Sequence, residues 1–437
     1  MGAGPRRRSP TSADGWTPAC WRERRSAMSA RLNSQVVIVG AGAAGDAAAM
    51  ALRQNGFDGS VLLIGADRHR PYERPLLSKQ YLRDEVPPDR VFLHRTEEYE
   101  QQRIELVTGH AVVEARARAR TVRLDDGRDI HFDSLILAPG GTPRWSPEVP
   151  RLSNVFSLRT LDDSTAIKRA LGESQRMLLL GAGFIGAEVA ASARLMGKNV
   201  LMIELGSVPL GRALGQEMGE IYARIHRSRG VDLRTGTSVT RWITSEDRVV
   251  GVELSDGTQA EIDVALVAIG VGAEVGLARD LGLELGLGGV LVDETLRAAP
   301  GIYCAGDIAA HFHPVFRRHV RVEHWQVAQK QGAACGAAVA GTPSRYEELP
   351  WFWSDQYDLN LQYVGNAHDF DQTVWRGDPE SERFALFYLK EGVIEAVLSV
   401  NDGRTGRLSR ELIRRRIPVN IDALTDVAGD LRELASA

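Results

Sequence analysis

The sequence predicts an α/β protein in which a parallel βαβ unit occurs twice and is followed by a C-terminal α+β domain. Its 437 residues suggest about three domains of roughly 150 residues each. Glycine is over-represented, with 44 residues, and shows no Gly-X-Y period, so the excess must occupy particular turns. A short apolar run, a glycine-rich turn and a helical pattern follow one another around Gly40 and again around Gly181. This spacing indicates a duplicated domain-sized unit rather than a short repeat.

The composition is typical of a soluble globular protein and excludes several function classes. Hydrophobic residues make up 43% and the net charge is −4, which gives no general reason to bind nucleic acid or an anionic membrane. The apolar stretch 36–52 contains Asp46 and is too short to span a bilayer. Cys20, Cys304 and Cys335 form no paired motif, so a disulfide framework and a zinc ribbon are excluded. Their small number fits a reducing, cytoplasmic location.

The first 33 residues differ from the rest of the chain. They carry seven arginines against two acids and show no periodicity, and no apolar segment of a secretory signal follows the arginine run. One interpretation is a basic targeting arm. The interpretation we favour is a disordered basic tail, or an upstream start with true initiation at Met28.

The first βαβ unit begins with the strand 36–39, continues through GAGAAG at 40–45 and a helix to about Gln54, and ends in the strand 61–64. In such a unit the first glycine permits the tight turn, the second lets a pyrophosphate approach the backbone, and the third packs helix against strand. The helix N-terminus then meets the phosphate charge. The predicted cofactor-binding residues of this turn are Gly40, Gly42, Ala43, Ala44 and Gly45.

The second unit repeats the pattern with the strand 177–180, the turn GAGFIG, a helix to about Met196 and the strand 200–203. One such turn alone is weak evidence, but two copies inside βαβ units predict two Rossmann-like dinucleotide-binding domains. Two sites imply two dinucleotides, one of which we expect to be a flavin. The predicted binding residues here are Gly181, Gly183, Phe184, Ile185 and Gly186.

An acidic residue after the second strand of such a unit accepts hydrogen bonds from the ribose of the nucleotide. Glu204 ends that strand in the second unit. Its carboxylate would accept hydrogen bonds from a ribose 2′-hydroxyl and repel a 2′-phosphate, which favours NADH over NADPH. In the first unit the corresponding candidate is Asp67.

Three more apolar strands end in glycine turns, which supply Gly140, Gly270 and Gly306 as further cofactor-binding candidates. From about Thr342 the pattern changes to aromatic clusters and short alternating runs. Such runs are typical of an antiparallel sheet and predict a separate α+β domain.

Four further segments carry a resemblance to a known family. They are PYERPLLSK at 71–79, GFIGAE at 183–188, CAGD at 304–307 and RVEHW at 321–325. Over roughly residues 34–420 the chain resembles the FAD-dependent NADH:ferredoxin reductases of bacterial oxygenase systems, within the larger pyridine-nucleotide disulfide reductase fold. The resemblance implies FAD and NADH as cofactors.

The resemblance also implies roles for individual residues. Arg74 would contact the adenosine or phosphate region of FAD, and Asp307 the ribitol hydroxyls. Lys79 would lie near the flavin and pair with Glu188 beside the nicotinamide site. Trp325 would lie near the isoalloxazine, on the side where electrons leave.

Each role has a simpler alternative. Lys79 and Glu188 could be solvated surface charges, Asp307 could cap a helix starting at Ile308, and Trp325 could be ordinary core. The single His-X-His at 311–313 favours a loop over a metal site, and no metal is predicted. Because 40–80 and 181–270 contain no cysteine, disulfide exchange lacks a thiolate there.

The predicted domains are a tail at 1–33, an FAD-binding domain at 34–150 and 271–341, an NADH-binding domain at 151–270, and a C-terminal α+β interface domain at 342–437. We expect electrons to pass from NADH through FAD to an iron–sulfur ferredoxin that feeds a Rieske dioxygenase or haem-thiolate monooxygenase. The alternatives are a rubredoxin reductase, or an NADH-responsive flavoprotein resembling apoptosis-inducing factor with a scaffold or signalling role. We expect a monomer or weak dimer that binds neither nucleic acid nor membrane.

Overall fold

Two parallel sheets and one antiparallel sheet organise residues 35–434, which are those that the computed structural model describes. The prediction of a disordered tail at 1–33 lies outside the described residues. The first sheet has six strands, and its neighbours are parallel except for the outermost pair. Its strands, in spatial order, are Arg297–Ala299, Ile302–Cys304, Ser134–Leu137, Gln35–Val39, Ser60–Gly65 and Ile104–Thr108.

The second sheet repeats this architecture with five parallel strands. In spatial order they are Val231–Thr235, Asn199–Glu204, Arg176–Leu180, Val264–Val267 and Val155–Phe156. The main strands of both sheets are continuous apolar runs because helices cover both faces. The first helix of each unit, Ala43–Gln54 and Phe184–Leu195, starts directly after the second glycine of its turn.

The two parallel sheets are joined by a short antiparallel pair, Gly141–Pro143 with Val271–Ala273. Here the chain leaves the first sheet and returns from the second, so the ends of their strands face one another. Smaller sheets lie beside the main ones. Their strands are Val112–Arg116, Thr121–Leu124, Asp129–His131, Val239–Ser245, Arg248–Leu254, Gln259–Glu261, Leu285–Gly286, Gly289–Val292, Ala309–His313 and Arg318–Val320.

The third large sheet is antiparallel and confirms the predicted α+β character of the C-terminal part. Its strands, in spatial order, are Trp351–Gln356, Leu359–Gly365, Val393–Val400, Arg383–Lys390 and Gln372–Asp378. The helix Gly403–Arg415 packs against it through Leu412 and Ile413. The remaining α-helices are Thr96–Gln101, Leu161–Gly172, Gly211–Leu214, Gln216–Ser228, Gly276–Asp280, Trp325–Val339, Ile421–Thr425 and Leu431–Leu434.

A close helix pair returns the chain to the first unit. A Cβ on Gly332 would lie 2.0 Å from the Ala44 carbonyl oxygen, and one on Gly336 would lie 2.3 Å from that of Ala48. The helix Trp325–Val339 therefore approaches Ala43–Gln54 as closely as backbone allows. No helix among residues 35–434 is long and apolar enough to cross a bilayer.

The expectation of a loop at the His-X-His motif is wrong. Residues Ala309–His313 form a strand, and its alternation buries both His311 and His313 on one face. Their rings lie 5.2 Å apart. Burial is the first cause that lowers the pKa of His311 to about 3 and that of His313 to about 4.

Candidate functional site

A continuous cavity of about 2430 Å³ opens where the strand ends of the two parallel sheets face one another. In open α/β sheets ligands bind outside the carboxyl ends of the strands. Of the predicted site residues, those that line the cavity are Gly40, Gly42, Ala43, Ala44, Asp67, Arg74, Lys79, Gly140, Gly181, Gly183, Phe184, Ile185, Glu188, Glu204, Gly270, Gly306, Asp307 and Trp325. Gly45 and Gly186 lie behind their turns and do not line it.

The first glycine turn has the geometry that a dinucleotide requires. Gly40 has a φ of +108°, and a Cβ there would lie 2.0 Å from the Ala138 carbonyl oxygen. A Cβ on Gly45 would lie 1.9 Å from the Gly40 carbonyl oxygen, so this glycine serves helix packing. A Cβ on Gly42, by contrast, would meet no atom within 4 Å, and Gly42 stands at the N-terminus of a helix that no side chain caps. This opening and its free N–H groups fit a pyrophosphate.

The second turn reproduces these three roles. Gly181 has a φ of +103°, and a Cβ on Gly186 would lie 2.1 Å from the Gly181 carbonyl oxygen. Gly183 again faces open space at an uncapped helix N-terminus. One cavity therefore contains two equivalent phosphate cradles, which fits two dinucleotides.

Lys79 and Glu188 form a buried ion pair in this cavity. Lys79 Nζ lies 2.8 Å from Glu188 Oε2, and the residues are 5% and 7% exposed. The alternative of solvated surface charges is therefore wrong. Glu188 sits one turn into the helix that begins at the second glycine turn, whereas Lys79 follows the 3₁₀ turn Arg74–Leu76 of the first unit. The pair thus joins the two nucleotide-binding units.

Two serines complete the surroundings of the Glu188 carboxylate. The Ser78 hydroxyl donates to Oε2, and the Ser354 hydroxyl donates to Oε1 over 2.8 Å. Sequence reasoning missed Ser354, which belongs to the antiparallel C-terminal sheet. All three side chains are buried, so the carboxylate is held from both sides.

Asp307 lies in the 3₁₀ turn Gly306–Ile308, and Ala305 rather than Asp307 stands at the start of that turn, so the helix-cap alternative is wrong. Its carboxylate instead pairs with Arg159 over 2.6 Å. Arg159 also lines the cavity, and no sequence motif marked it. Together they form a charged cluster at the end of the strand Ile302–Cys304.

Asp67 and Arg74 also line the cavity, on the side of the first unit. Asp67 accepts hydrogen bonds from the Tyr72 hydroxyl and the His69 backbone N–H. Arg74 donates to the Arg159 carbonyl, and its guanidinium lies 5.3 Å from the centre of the Tyr72 ring. Burial lowers the pKa of Arg74 from its usual value.

Glu204 lies at the end of its strand and is bound to the second glycine turn. Oε2 accepts from the Ala182 N–H and Oε1 from the Gly206 N–H, each over 2.8 Å. Because each carboxylate oxygen has a second lone pair, Glu204 can still accept a hydrogen bond from a ribose hydroxyl.

Trp325 separates the cavity from the outer surface. It lines the large cavity and also a second, open cleft of about 350 Å³, together with Trp351 and Trp353. It is partly exposed and also packs against the first core, so it belongs both to the core and to the wall of the cavity. The rings of Trp351 and Trp353 stack with centroids 5.3 Å apart.

The arginine-rich helix Gly403–Arg415 borders this outer cleft, since the Arg410 guanidinium lies 6.0 Å from the centre of the Trp351 ring. Arg407 and Arg414 on the same helix are exposed. Other arginines of the region are engaged internally: Arg318 with Asn366, and Arg321 with Glu323 and the Asp307 carbonyl. The exposed positive charge of this region therefore comes from the helix and from Arg317, which lies just before the strand Arg318–Val320.

Comparison with known proteins gives consistent matches. Residues 34–332 match the model of the pyridine nucleotide-disulphide oxidoreductase family, and 351–435 match the reductase C-terminal family. The ferredoxin–NAD(+) reductase component of the anthranilate 1,2-dioxygenase system of Burkholderia cepacia is 40% identical, over 86% of this chain and 93% of its own length. Putidaredoxin reductase of Pseudomonas putida is 34% identical, over 93% and 97%.

Among solved structures, the covalent putidaredoxin reductase–putidaredoxin complex matches with a TM-score of 0.89 at 34% identity, over 92% of this chain and 98% of the matched chain. These relatives and the two phosphate cradles identify FAD and NAD(H) as the cofactors and the chain as an FAD-dependent oxidoreductase. With the family model covering residues 34–332, the chain belongs to the pyridine nucleotide-disulphide oxidoreductase family.

Proposed function

We propose that this chain transfers electrons from NADH through FAD to an iron–sulfur ferredoxin that serves an oxygenase, either a Rieske dioxygenase or a haem-thiolate monooxygenase. The observation that carries the proposal is the buried Lys79–Glu188 pair at the junction of two dinucleotide sites. The names of the relatives, which are ferredoxin and putidaredoxin reductases, support the choice of acceptor.

Each of the cavity residues would have a separate role. Gly42 and Gly183 would admit the two pyrophosphates at their helix N-termini, and Asp307 would hold the flavin side chain. Bound FAD supplies the chemistry, since it accepts two electrons as hydride and releases them singly. Lys79 and Glu188 would provide a fixed, water-excluded charge pair where the nicotinamide approaches. Trp325 would cover the side facing the outer cleft.

The two cysteines of the described residues do not fit disulfide chemistry. Cys304 and Cys335 are both free and fully buried, and burial raises the pKa of both thiols. Both thiols therefore stay protonated near neutral pH, whereas disulfide exchange needs a thiolate. This supports the flavin as the last redox centre held by the protein, and buried free thiols suit a reducing cytoplasm.

Anaerobic stopped-flow spectroscopy tests the proposed function. NADH should bleach the flavin absorbance, and the reduced protein should then reduce a [2Fe–2S] ferredoxin over repeated turnovers. Bleaching without reduction of any ferredoxin would contradict the proposal. Reduction of rubredoxin alone would favour rubredoxin as the acceptor. Slow turnover together with NADH-dependent dimerisation would favour a scaffold or signalling role and would contradict the expected monomer or weak dimer.

Glu204 is expected to determine the preference for NADH. The variant Glu204→Ser removes the charge that repels a 2′-phosphate, so the NADH-to-NADPH ratio of kcat/KM should fall about tenfold or more, which corresponds to about 1.4 kcal/mol. Asp67→Ser is the matched control, because Asp67 is the corresponding acid of the first unit. The prediction is wrong if Glu204→Ser leaves the ratio unchanged or if Asp67→Ser lowers it equally.

The helix Gly403–Arg415 is expected to steer an acidic ferredoxin toward the outer cleft. Arg414→Glu, alone or with Arg407→Glu, should raise the KM for ferredoxin about tenfold at low salt and flatten its salt dependence. Reduction of the flavin by NADH should not change. Arg169→Glu is a matched control, because Arg169 and Arg414 are each 3.9 Å from a carboxylate and lie on different units. Equal effects of both variants would exclude a specific docking surface.

A further inference from the structure

A chain of hydrogen bonds runs from the Glu188 carboxylate along one face of the strand Trp351–Gln356 of the C-terminal sheet. The Ser354 hydroxyl donates to Glu188 Oε1 over 2.8 Å, and Gln356 Nε2 donates to Ser354 Oγ over 3.2 Å. His226 Nε2 lies 3.0 Å from Gln356 Oε1, and His226 Nδ1 lies 2.9 Å from the Tyr357 hydroxyl. Ser354, Gln356 and His226 are at most 1% exposed.

The direction of this chain follows from its donors and acceptors. Gln356 Oε1 can only accept, so His226 must carry its proton on Nε2. Burial lowers the pKa of His226 to about 4, so the ring is neutral near pH 7 and Nδ1 accepts from Tyr357. Every donor therefore points toward Glu188. Aligned hydrogen bonds polarise one another, so the chain acts on the carboxylate as a unit.

Three separate elements contribute to the chain. Glu188 lies on the helix Phe184–Leu195, and Ser354 and Gln356 lie two residues apart on the same face of the strand Trp351–Gln356. His226 comes from the helix Gln216–Ser228 of the second unit. The rotamer of Glu188 is thus fixed from outside its own helix, on the side opposite to Lys79.

We propose that Ser354, Gln356 and His226 are positioning residues for the Lys79–Glu188 pair, so that the C-terminal sheet forms part of the redox site and does not only dock the partner. This inference rests on the proposed function. Without the Ser354 donor, Oε1 loses a partner in a buried site, and the carboxylate that pairs with Lys79 gains rotamer freedom. The charge pair would then be mispositioned when NADH binds.

The test compares Ser354→Ala with Ser399→Ala in the FAD-loaded full chain. Both serines are buried in the same sheet, but the Ser399 hydroxyl has no hydrogen-bond partner among the described residues. In single-turnover mixing, Ser354→Ala should slow flavin reduction by NADH about tenfold with an unchanged apparent Kd for NADH. Its oxidised flavin spectrum should shift, whereas Ser399→Ala should match the wild type in rate and spectrum.

His226→Leu separates positioning from general stabilisation. His226 is the larger buried side chain but acts two hydrogen bonds farther from Glu188 than Ser354 does. The variant His226→Leu should therefore lower the thermal midpoint more than Ser354→Ala does, yet slow flavin reduction less. The inference would be overturned if the less stable of the two variants also had the slower flavin reduction. It would equally be overturned if Ser354→Ala reduced its flavin at the wild-type rate. A wild-type flavin that NADH does not bleach would instead overturn the proposed function, and the inference with it.

Discussion

Replacing Lys79 with methionine is expected to lower the free energy of unfolding by about 3–5 kcal/mol, because it leaves the Glu188 carboxylate as an unpaired charge in the protein interior. Methionine keeps an unbranched apolar stem of similar length, so the loss of charge dominates over the change in packing. The hydroxyls of Ser78 and Ser354 still donate to the carboxylate, but neither supplies a positive charge. Flavin reduction by NADH should slow about 100-fold, since a preorganised charge is lost from the reacting site.

Lys390→Met is the matched control for this effect. Lys390 Nζ lies 2.8 Å from Asp369, the same separation as in the buried pair, but its side chain is 40% exposed. Exposed pairs contribute about 0–1 kcal/mol, so this variant should remain close to wild type. Urea titration of both FAD-loaded variants measures the difference. Equal losses would show that Lys79 and Glu188 are solvated in solution and that the site is open to water.

The double variant Lys79→Met, Glu188→Met separates stability from chemistry. Removing both charges eliminates the uncompensated ion, so much of the stability should return. Flavin reduction should remain slow, because neither charge is restored. Recovery of the rate together with stability would show that the pair has only a structural role.

The glycine turns could be predicted because each is a local pattern, whereas the Lys79–Glu188 pair, 109 residues apart, was implied only by the resemblance to a known family. A strand, a tight turn and a helix are contiguous in sequence, so their pattern can be read directly. Ser354 could not be found this way, because it lies 166 residues from Glu188 and belongs to an antiparallel sheet. Arg159 and Asp307 are likewise 148 residues apart. Neither distant contact leaves a periodic signal, since it depends on how the units pack.

The His-X-His motif was expected to form a loop, although its alternating pattern is that of a strand. Its alternation of His311, Phe312 and His313 has the period of a strand, and the structure buries both histidines while Phe312 remains partly exposed. Histidines are common in loops and in metal sites, so residue type suggested a different structure from the one that periodicity indicates. Here periodicity was the better guide.

Buried histidines are expected to make the protein sensitive to mild acid. Burial is the largest of the causes that lower the pKa of three of them: His226 and His313 to about 4, and His311 to about 3, from an ordinary 6.5. The hydrogen bond from His94 to Asp46 raises the pKa of that histidine instead, so both states protonate it below about pH 6.5 and it does not enter the proton difference there. The unfolded chain therefore binds a net excess of about three protons between roughly pH 6.5 and pH 4.

The sign of the effect follows from this proton count. The neutral histidines contribute their full stability above about pH 6.5, where neither state protonates them. As the pH falls toward 4, only the unfolded state takes up protons, so the free energy of unfolding should decrease by up to about 4 kcal/mol per pH unit. Carboxylates held by arginine, such as Asp263 with a pKa of about 2, lose their contribution only at lower pH.

Urea titrations of the FAD-loaded protein at pH 7.5, 6 and 5 measure this slope, and His311→Leu assigns it. His311 Nε2 has no hydrogen-bond partner among the described residues, and its ring faces His313, Tyr346 and Gln331. Leucine cannot be protonated, so the slope should decrease by about 1.4 kcal/mol per pH unit. Phe312→Leu, on the opposite face of the strand, should leave the slope unchanged. A slope that His311→Leu does not alter would show that this histidine is already protonated or solvated in the folded state.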